Sequence, residues 1–227
     1  MGTHSGHKVV SDKLFFSIDA SNSKTVAGDG TLKDMSNQKH TVSNINGTSH
    51  TNAYPASKFT FDGSDDRIDT NITGRIDTEN GFSVETWFRG TKTTRNHMWD
   101  FGDVTGVNFN CNFNDGPYAL WFYWEGSGGN NVLFRSADGW NFTDGTIKHL
   151  VLTHTGTTNK VYLNGVEITP YTKQGTQTMS NVNATGYYRL SGNAFGGDIH
   201  INRIYKKALT ADEVYSNFRA DKDRFGV

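Results

Sequence analysis

The chain has 227 residues, a length at which β-sandwiches and barrels commonly form one domain. Gly, Asn and Thr (25, 22 and 27 residues) are abundant and Leu is scarce, which favours strands and turns over helices. A net charge of -1 without charged blocks argues against nucleic-acid binding, no run of about 20 apolar residues exists for membrane insertion, and the single Cys111 excludes an internal disulfide.

The first third of the chain predicts a terminal segment followed by paired strands. Residues 1–10 are polar and predicted to be flexible, and residues 11–227 are predicted to form a single domain. "LFFSIDA" (14–20) is predicted as the first strand, before a Gly/Asn/Ser-rich excursion to about residue 49. "SKFTFDGSDDRIDT" (57–70) has the alternation and turn residues of a hairpin.

The middle of the chain contains two different strand patterns. "GFSVETWFRG" (81–90) alternates apolar and polar residues, which predicts a strand with one face in the core. "YALWFYWEG" (118–126) is apolar on both faces, so this strand is either buried on both faces or exposes aromatic side chains. "WDFGD" (99–103) has the composition of a turn.

The C-terminal part predicts further hairpins and one helix. "TIKHLVLTHTGTTNKVYLNGVEI" (146–168) predicts three strands, and the Asn164-Gly165 pair favours a type I′ turn between the last two. Thr210 and Glu213 have the spacing of a capping box, before Val214 and Phe218 on one helical stripe. The chain is therefore predicted to be all-β, an antiparallel sandwich of nine to twelve strands, with a C-terminal helix of one to two turns.

Four motifs in order carry a family resemblance. The segments "FDGSDDRIDT", "GFSVETWFRG", "HLVLTHTGTTNKVYLNGVEI" and "GGDIHINRIYKKALTADEV" resemble the laminin-G-like jelly rolls of the concanavalin A-like lectin/glucanase superfamily. The resemblance covers about residues 10–220. It implies a concanavalin A-like jelly roll whose closing helix packs against the edge of the sandwich.

The opening segment has a narrower likeness. "GHKVVSDKLFFSIDASNSKTVAGDGTLKDMSNQKHTVSN" is similar to the start of laminin-G-like virion proteins of marine and cyanobacterial tailed phages. That similarity implies a virion structural protein made in the host cytoplasm, a capsid decoration or a tail or fibre component. It would dock other virion proteins as a homo-oligomer. The alternative is a lectin-like, carbohydrate-binding module that recognises host-surface glycans.

The sequence contains no recognisable catalytic arrangement. The resemblance implies that a glucanase would carry a glutamate-x-aspartate-x-x-glutamate pattern on one strand, and the chain has none. Asp100 and Asp103, the best substitutes, lie in the turn-like "WDFGD". Ser-His-Asp signatures, Gly-rich phosphate loops and Cys/His metal spacing are also missing from the sequence, so we expect the protein not to be an enzyme.

A glycan site needs a ring on which a sugar stacks and polar groups that bind its hydroxyls. The candidates are Trp121 and Tyr123 on one face of their strand, with Asn110, Asn112 and Asn114 on the preceding run. The favoured interpretation is that these aromatic residues fill the core or a subunit interface.

No cofactor is expected, with one calcium ion as the open candidate. The resemblance implies a structural calcium held by Asp34 and by the closing strand, where Asp198 is the nearest acid and His200 replaces the family's acidic residue. Calcium takes six to eight oxygen ligands, so this replacement weakens the site. The acidic run from Asp62 to Asp69 lacks EF-hand spacing and is predicted to be a hydrogen-bonded turn.

Overall fold

The structure is a computed structural model, which describes residues 7–27, 31–54, 56–72, 81–94, 96–102, 108–113, 120–126, 129–136, 140–155, 158–169 and 187–227. Its elements are, in chain order, β1 (Leu14–Asp19), β2 (Val42–Asn46), β3 (Ser49–Thr51), β4 (Lys58–Asp62), β5 (Arg67–Thr70), β6 (Phe82–Gly90), β7 (Asn96–Gly102), β8 (Asn108–Phe113), β9 (Leu120–Gly126), β10 (Gly129–Arg135), β11 (Lys148–Thr155), β12 (Thr158–Leu163), β13 (Val166–Ile168), β14 (Tyr187–Asn193), β15 (Gly196–Tyr205) and α1 (Ala211–Phe225).

The strands form two antiparallel sheets. The first sheet has the order β13-β12-β11-β6-β15-β4-β3, and β1 also pairs with β15. The second sheet has the order β10-β9-β8-β7-β14-β5-β2. The fifteen strands of the described residues exceed the nine to twelve predicted. The all-β, antiparallel sandwich prediction is confirmed.

The core between the sheets is built from aromatic rings. Alternation along each strand turns every second side chain inward, and the inward residues of facing strands meet. The rings of Phe82 and Phe109, from β6 and β8, meet edge to face with centroids 5.0 Å apart. Phe109 and Phe122 of β9 are 4.1 Å apart in the same geometry. Burying such rings is the main favourable contribution to folding.

The local turn and capping predictions are confirmed. Asn164 and Gly165 both have positive φ, 50° and 80°, as the hairpin between β12 and β13 requires. Thr210 Oγ1 accepts the backbone N–H of Glu213, and the Glu213 side chain accepts the N–H of Thr210. Such a box satisfies two N–H groups that a helix start otherwise leaves unpaired.

The helix differs from the prediction in length and position. It has 15 residues rather than one to two turns and ends at Gly226 in the left-handed conformation. It also lies on the outer face of the first sheet, not at the edge of the sandwich, since the rings of Phe218 and Phe225 lie 5.9 and 4.6 Å from that of Trp87 on the central strand β6. β6 is consequently buried on both faces.

The start of the described chain is attached to this helix. The Ser216 hydroxyl donates to the carbonyl of Lys8 at 3.2 Å, and Val10 N–H donates to Asn217 Oδ1 at 2.8 Å. For residues 8–10 these contacts differ from the expected flexible segment, and residues 1–6 lie outside the described residues. In the described part of the chain, no helix is long and apolar enough to cross a membrane.

Candidate functional site

The outer face of the second sheet carries a cross-strand array of polar side chains. In one row, Asp69 of β5 lies opposite Arg189 of β14, which lies opposite Asp100 of β7, followed by Asn110 of β8. In the next row, His97, Asn112, Trp121 and Arg135 follow one another across β7, β8, β9 and β10. We call these eight residues the polar face.

Strand alternation explains why these side chains share a face. On β8 the apolar Phe109, Cys111 and Phe113 belong to the core between the sheets. Because neighbouring residues of a strand point to opposite sides, Asn110 and Asn112 lie on the outer side. Both amides are nevertheless buried, with 2% and 0% exposure.

Hydrogen bonds join neighbouring members of the polar face. The Nδ2 atom of Asn112 donates to Asn110 Oδ1 at 2.8 Å. The Nδ1 atom of His97 lies 3.1 Å from Asp100 Oδ1. Because the carboxylate is an acceptor, this contact favours a proton on Nδ1 and leaves Nε2 of a neutral ring as an acceptor.

Two acceptors of the polar face have no hydrogen-bond partner. Within the part of the chain that the structure describes, His97 Nε2 and Asn112 Oδ1 are buried and unpaired. The two residues lie directly opposite each other on β7 and β8. A buried polar atom without a partner is unfavourable by about 1–3 kcal/mol, so each of the two atoms would gain from a donor that the described residues do not supply.

The third neighbour in this row is an indole. Trp121 lies opposite Asn112 and is half-buried, and the guanidinium carbon of Arg135 lies 5.0 Å from the centre of its ring. Such a contact is an attraction between a cation and the face of the ring. One face of the indole is therefore occupied by a protein cation.

The structure brings together three of the five predicted glycan-site residues. Trp121, Asn110 and Asn112 lie on one face, although both amides are buried rather than exposed beside an open platform. The backbone of Tyr123 lies opposite Asn110, while its side chain and the whole of Asn114 lie outside the described residues. Ligand contact by these residues stays a prediction.

Sequence reasoning missed the role of β7. The segment interpreted as the turn "WDFGD" lies largely within this strand, and Asp100 pairs with both neighbouring strands. The pairing register shifts between His97 and Trp99, which places His97 and Asp100 on one face despite their spacing of three. Such a bulge hides the alternation by which a strand is recognised. Asp103 lies outside the described residues.

Asp34 is occupied by its own turn. Its Oδ1 accepts the N–H groups of Ser17 and Ser36 at 2.9 and 2.8 Å. Its Oδ2 accepts the Ser36 hydroxyl at 2.6 Å and the N–H of His40 at 2.9 Å. Four protein donors therefore use the oxygens that the calcium prediction assigned to an ion.

Asp198, the other predicted calcium ligand, is neutralised by protein cations. It forms ion pairs with Lys58 at 3.2 Å and with Arg89, and its Oδ1 accepts the Thr60 hydroxyl at 2.7 Å. The two carboxylates are thus engaged by different partners, and these contacts do not support the predicted calcium site. Nδ1 of His200 donates to the carbonyl oxygen of Ser57 at 2.9 Å.

The acidic run after β4 has the contacts of a turn. Asp62 Oδ1 accepts the N–H of Ser64, and Asp66 Oδ2 accepts the N–H of Asp62. Asp69 instead binds Arg189 from the polar face at 2.6 Å. Carboxylate oxygens of Asp62, Asp65 and Asp66 lie within 4.8 Å of one another, and this proximity alone does not define a metal site.

Comparison with known proteins gives one family match. Residues 62–215 match the sequence model of a domain of the concanavalin A-like lectin/glucanase superfamily. No curated protein matches the chain in sequence.

Several solved structures share the fold at low sequence identity. Domain 4 of AbnA, an extracellular arabinanase of Geobacillus stearothermophilus solved with arabinotriose, is 19% identical with a TM-score of 0.66, over 92% of this chain and 99% of that one. The binding domain of Paraclostridial Mosquitocidal Protein 1 is 16% identical with a TM-score of 0.66, over 91% and 52%. A structure of botulinum neurotoxin type C, studied for its interaction with two ganglioside molecules, is 12% identical with a TM-score of 0.69, over 93% and 52%. The chain thus spans about half the length of the two toxin structures.

Proposed function

The chain belongs to the concanavalin A-like lectin/glucanase superfamily, and from this membership we propose that it is a non-catalytic carbohydrate-binding domain whose ligand lies on the polar face. The observation that carries the proposal is the pair of buried, unpaired acceptors, His97 Nε2 and Asn112 Oδ1, on opposed residues. Adjacent hydroxyl groups of a sugar ring supply two donors at short spacing. A sugar ring also presents an apolar C–H face beside these hydroxyl groups.

The surroundings of the acceptor pair support a sugar over a cation. The neighbouring Asp100 and Asp69 carboxylates are engaged by His97 and by Arg189, so they do not form a free acidic cage. Trp121 adjoins Asn112 and provides a flat apolar surface at the border of the pair. Sugars are commonly bound by such a combination of a ring and hydrogen-bonding groups.

The arabinanase domain adds support at the level of the whole domain. It is matched along 99% of its length and was solved with a sugar, arabinotriose. At 19% identity this likeness is a likeness of fold alone, and arabinotriose serves below as one of the sugars to be tested for binding. The toxin structures are matched over half their length, so their binding activities carry less weight.

Calorimetric titration with arabinotriose, cellotriose and a galactose disaccharide tests the proposal. At least one neutral oligosaccharide should bind, and Asn112→Leu should weaken it about tenfold or more, which corresponds to about 1.4 kcal/mol. Trp121→Ala should weaken it comparably. Trp140→Ala is the matched control, because Trp140 is an exposed indole outside the polar face. Binding that survives both site variants, or no binding by any probe, would contradict the proposal.

A second proposal concerns where the domain works. We propose that it is displayed on a tailed-phage particle, as the similarity of the opening segment to virion proteins suggests, and a glycan-binding domain on an adsorption fibre would serve host recognition. Immunogold labelling of intact particles tests this location. Label on tails or fibres supports it together with the glycan role, label on heads favours a docking role as a homo-oligomer, and no label contradicts it.

A further inference from the structure

A groove lies on another part of the surface, away from the polar face. Residues of the ranges 23–27 and 31–42, between β1 and the start of β2, line this groove of about 550 Å³. Sites for small molecules typically have volumes of about 300–1,000 Å³. None of the eight residues of the polar face lines this groove, so the two surfaces are independent.

The described lining of the groove is positively charged. Lys24, Lys33 and Lys39 line it and are exposed. No ion pair is formed by any of the three with the described residues. The acid in the described lining, Asp34, is buried and has both oxygens occupied by protein donors. Within the described lining, the three ammonium groups thus have no acid with a free oxygen to neutralise them.

The turn that carries Lys39 is held in a strained conformation. Lys39 has a φ of 56°, in the left-handed region that side-chain-bearing residues seldom adopt. The turn is closed around the Asp34 carboxylate, which accepts N–H groups of Ser36 and His40 on either side of Lys39. A strained residue that its surroundings hold firmly is typical of functional sites.

The remaining lining is apolar or neutral. Leu32 and Val42 are core residues that also line the groove, and Thr31 and Thr41 lie beside them. Burial lowers the pKa of His40 below its ordinary value, so this imidazole is neutral at pH 7. The positive charge therefore comes from the lysines alone, next to an apolar surface and hydroxyl groups.

We propose that this lysine groove binds a sugar that carries a carboxylate or sulfate group. The acid would lie among the three ammonium groups, and the C–H face of the ring would pack on Leu32 and Val42. The volume suits a mono- or disaccharide rather than a protein segment. This site is additional to the neutral-sugar site of the polar face, and either site can exist without the other.

The test is an NMR titration of the labelled protein with galactose 6-sulfate and glucuronic acid, each compared with uncharged galactose and glucose. At least one acidic sugar should shift amide resonances of residues 31–42 and bind at least tenfold more tightly than its uncharged counterpart. The difference should shrink between 20 and 500 mM salt, because salt screens exposed charges. Equal binding of charged and uncharged sugars would overturn the proposal.

Two triple variants of equal net charge separate the groove from the charge of the whole protein. Replacing Lys24, Lys33 and Lys39 by Gln should abolish acidic-sugar binding. The control replaces by Gln three lysines that lie outside the groove lining, Lys8, Lys160 and Lys222. This control should retain acidic-sugar binding. Equal losses in both variants would overturn the proposal.

Two further measurements identify the ligand and the site. Inorganic sulfate that binds as tightly as galactose 6-sulfate would overturn the sugar assignment and leave a small-anion site. Asn112→Leu should leave acidic-sugar binding within twofold of wild type while it weakens neutral-sugar binding. The two proposals can therefore fail separately.

Discussion

The outer faces of the two sheets both bury polar side chains, but they use them differently. On the first sheet, the Glu85 carboxylate contacts four groups, His149, Arg203, Tyr205 and Asn217, at 3.2, 2.7, 3.2 and 2.7 Å. On the second sheet, among the described residues, His97 and Asn112 each retain an acceptor without a partner. The first face completes its central carboxylate with donors from the sheet and from α1, whereas the second face leaves two opposed acceptors unpaired within the described residues.

The cover over each face explains this difference. Among the described residues of this first sheet, the ring nitrogens Trp87 Nε1, His149 Nδ1 and His200 Nε2 are also unpaired. These rings lie against the aromatic side chains of α1, with Phe225 4.6 Å from Trp87 and 5.0 Å from His200, and Phe218 5.7 Å from His149. These nitrogens are sealed by the helix. Within the described residues α1 is the single helix, and its aromatic side chains lie against the first sheet.

The comparison teaches that burial alone does not separate structural polar groups from a binding site. The charges of the first face are arranged as a chain, in which Arg203 pairs with Glu85 and also with Asp221 of the helix at 2.8 Å. Arg224 continues it to Asp19 of β1. Each carboxylate in this chain has a cation, so the array attaches the helix and offers little to a ligand.

Removing one charge from the closed face should have the largest effect. We expect Glu85→Gln to lower the free energy of unfolding by about 3–5 kcal/mol, because it breaks a fully buried ion pair with Arg203. Urea unfolding at pH 7 measures the loss. Glu167→Gln is the control, since Glu167 pairs with Lys160 on the surface and should matter by less than about 1 kcal/mol. Equal effects would mean that the network does not hold the helix.

Acid should destabilise the closed face once the Glu85 carboxylate becomes protonated. Burial alone would raise the pKa of Glu85, but Arg203 and the donors His149 and Asn217 outweigh it and lower this pKa from 4.5 to about 2. A lowered folded-state pKa contributes stability above pH 4.5 that is lost as the pH falls towards 2. The shift corresponds to about 3 kcal/mol.

The acid prediction is measured as the stability difference between wild type and Glu85→Gln at several pH values. The difference should be largest above pH 5 and shrink by most of that amount near pH 2. Because the variant has no titrating carboxyl at position 85, its stability at each pH is the reference for the wild-type protein. A difference that stays constant from pH 7 to pH 2 would contradict the lowered pKa.

Sequence reasoning succeeded where the signal is local. The capping box of Thr210 and Glu213, the Asn164-Gly165 turn and the inward Phe82 and Val84 of β6 each depend on residues within a few positions of one another. The superfamily itself followed from the order of such local motifs.

The rest depends on contacts between distant segments. The apolar stripe of the helix is interrupted after Phe218 and resumes at Phe225, and between them Asp221 binds Arg203, 18 residues away. The alternation of β6 predicts one face in the core, and burial of its other face depends on which element covers it. On β7 the bulge after His97 concealed a strand, and with it half of the acceptor pair.

The smallest expected effect is a difference in stability between variants of two equally buried asparagines, one from each face. Asn217 and Asn112 both have 0% exposure. Asn217→Leu removes a donor from Glu85 and from Tyr205 and the acceptor of Val10, so we expect a loss of about 2–3 kcal/mol. Asn112→Leu removes one bond to Asn110 and also an unpaired oxygen, so the two changes largely offset and the loss should stay below about 1 kcal/mol.

Urea unfolding of the two leucine variants side by side decides whether the faces differ as proposed. The substitution and burial are matched, so a difference in stability reports the hydrogen bonding that each amide completes within the protein. If Asn112→Leu is as destabilising as Asn217→Leu, Asn112 belongs to a closed structural network and the polar face loses its main argument as a binding site. If Asn112→Leu is tolerated and neutral-sugar binding is lost, the buried amide serves the ligand rather than the fold.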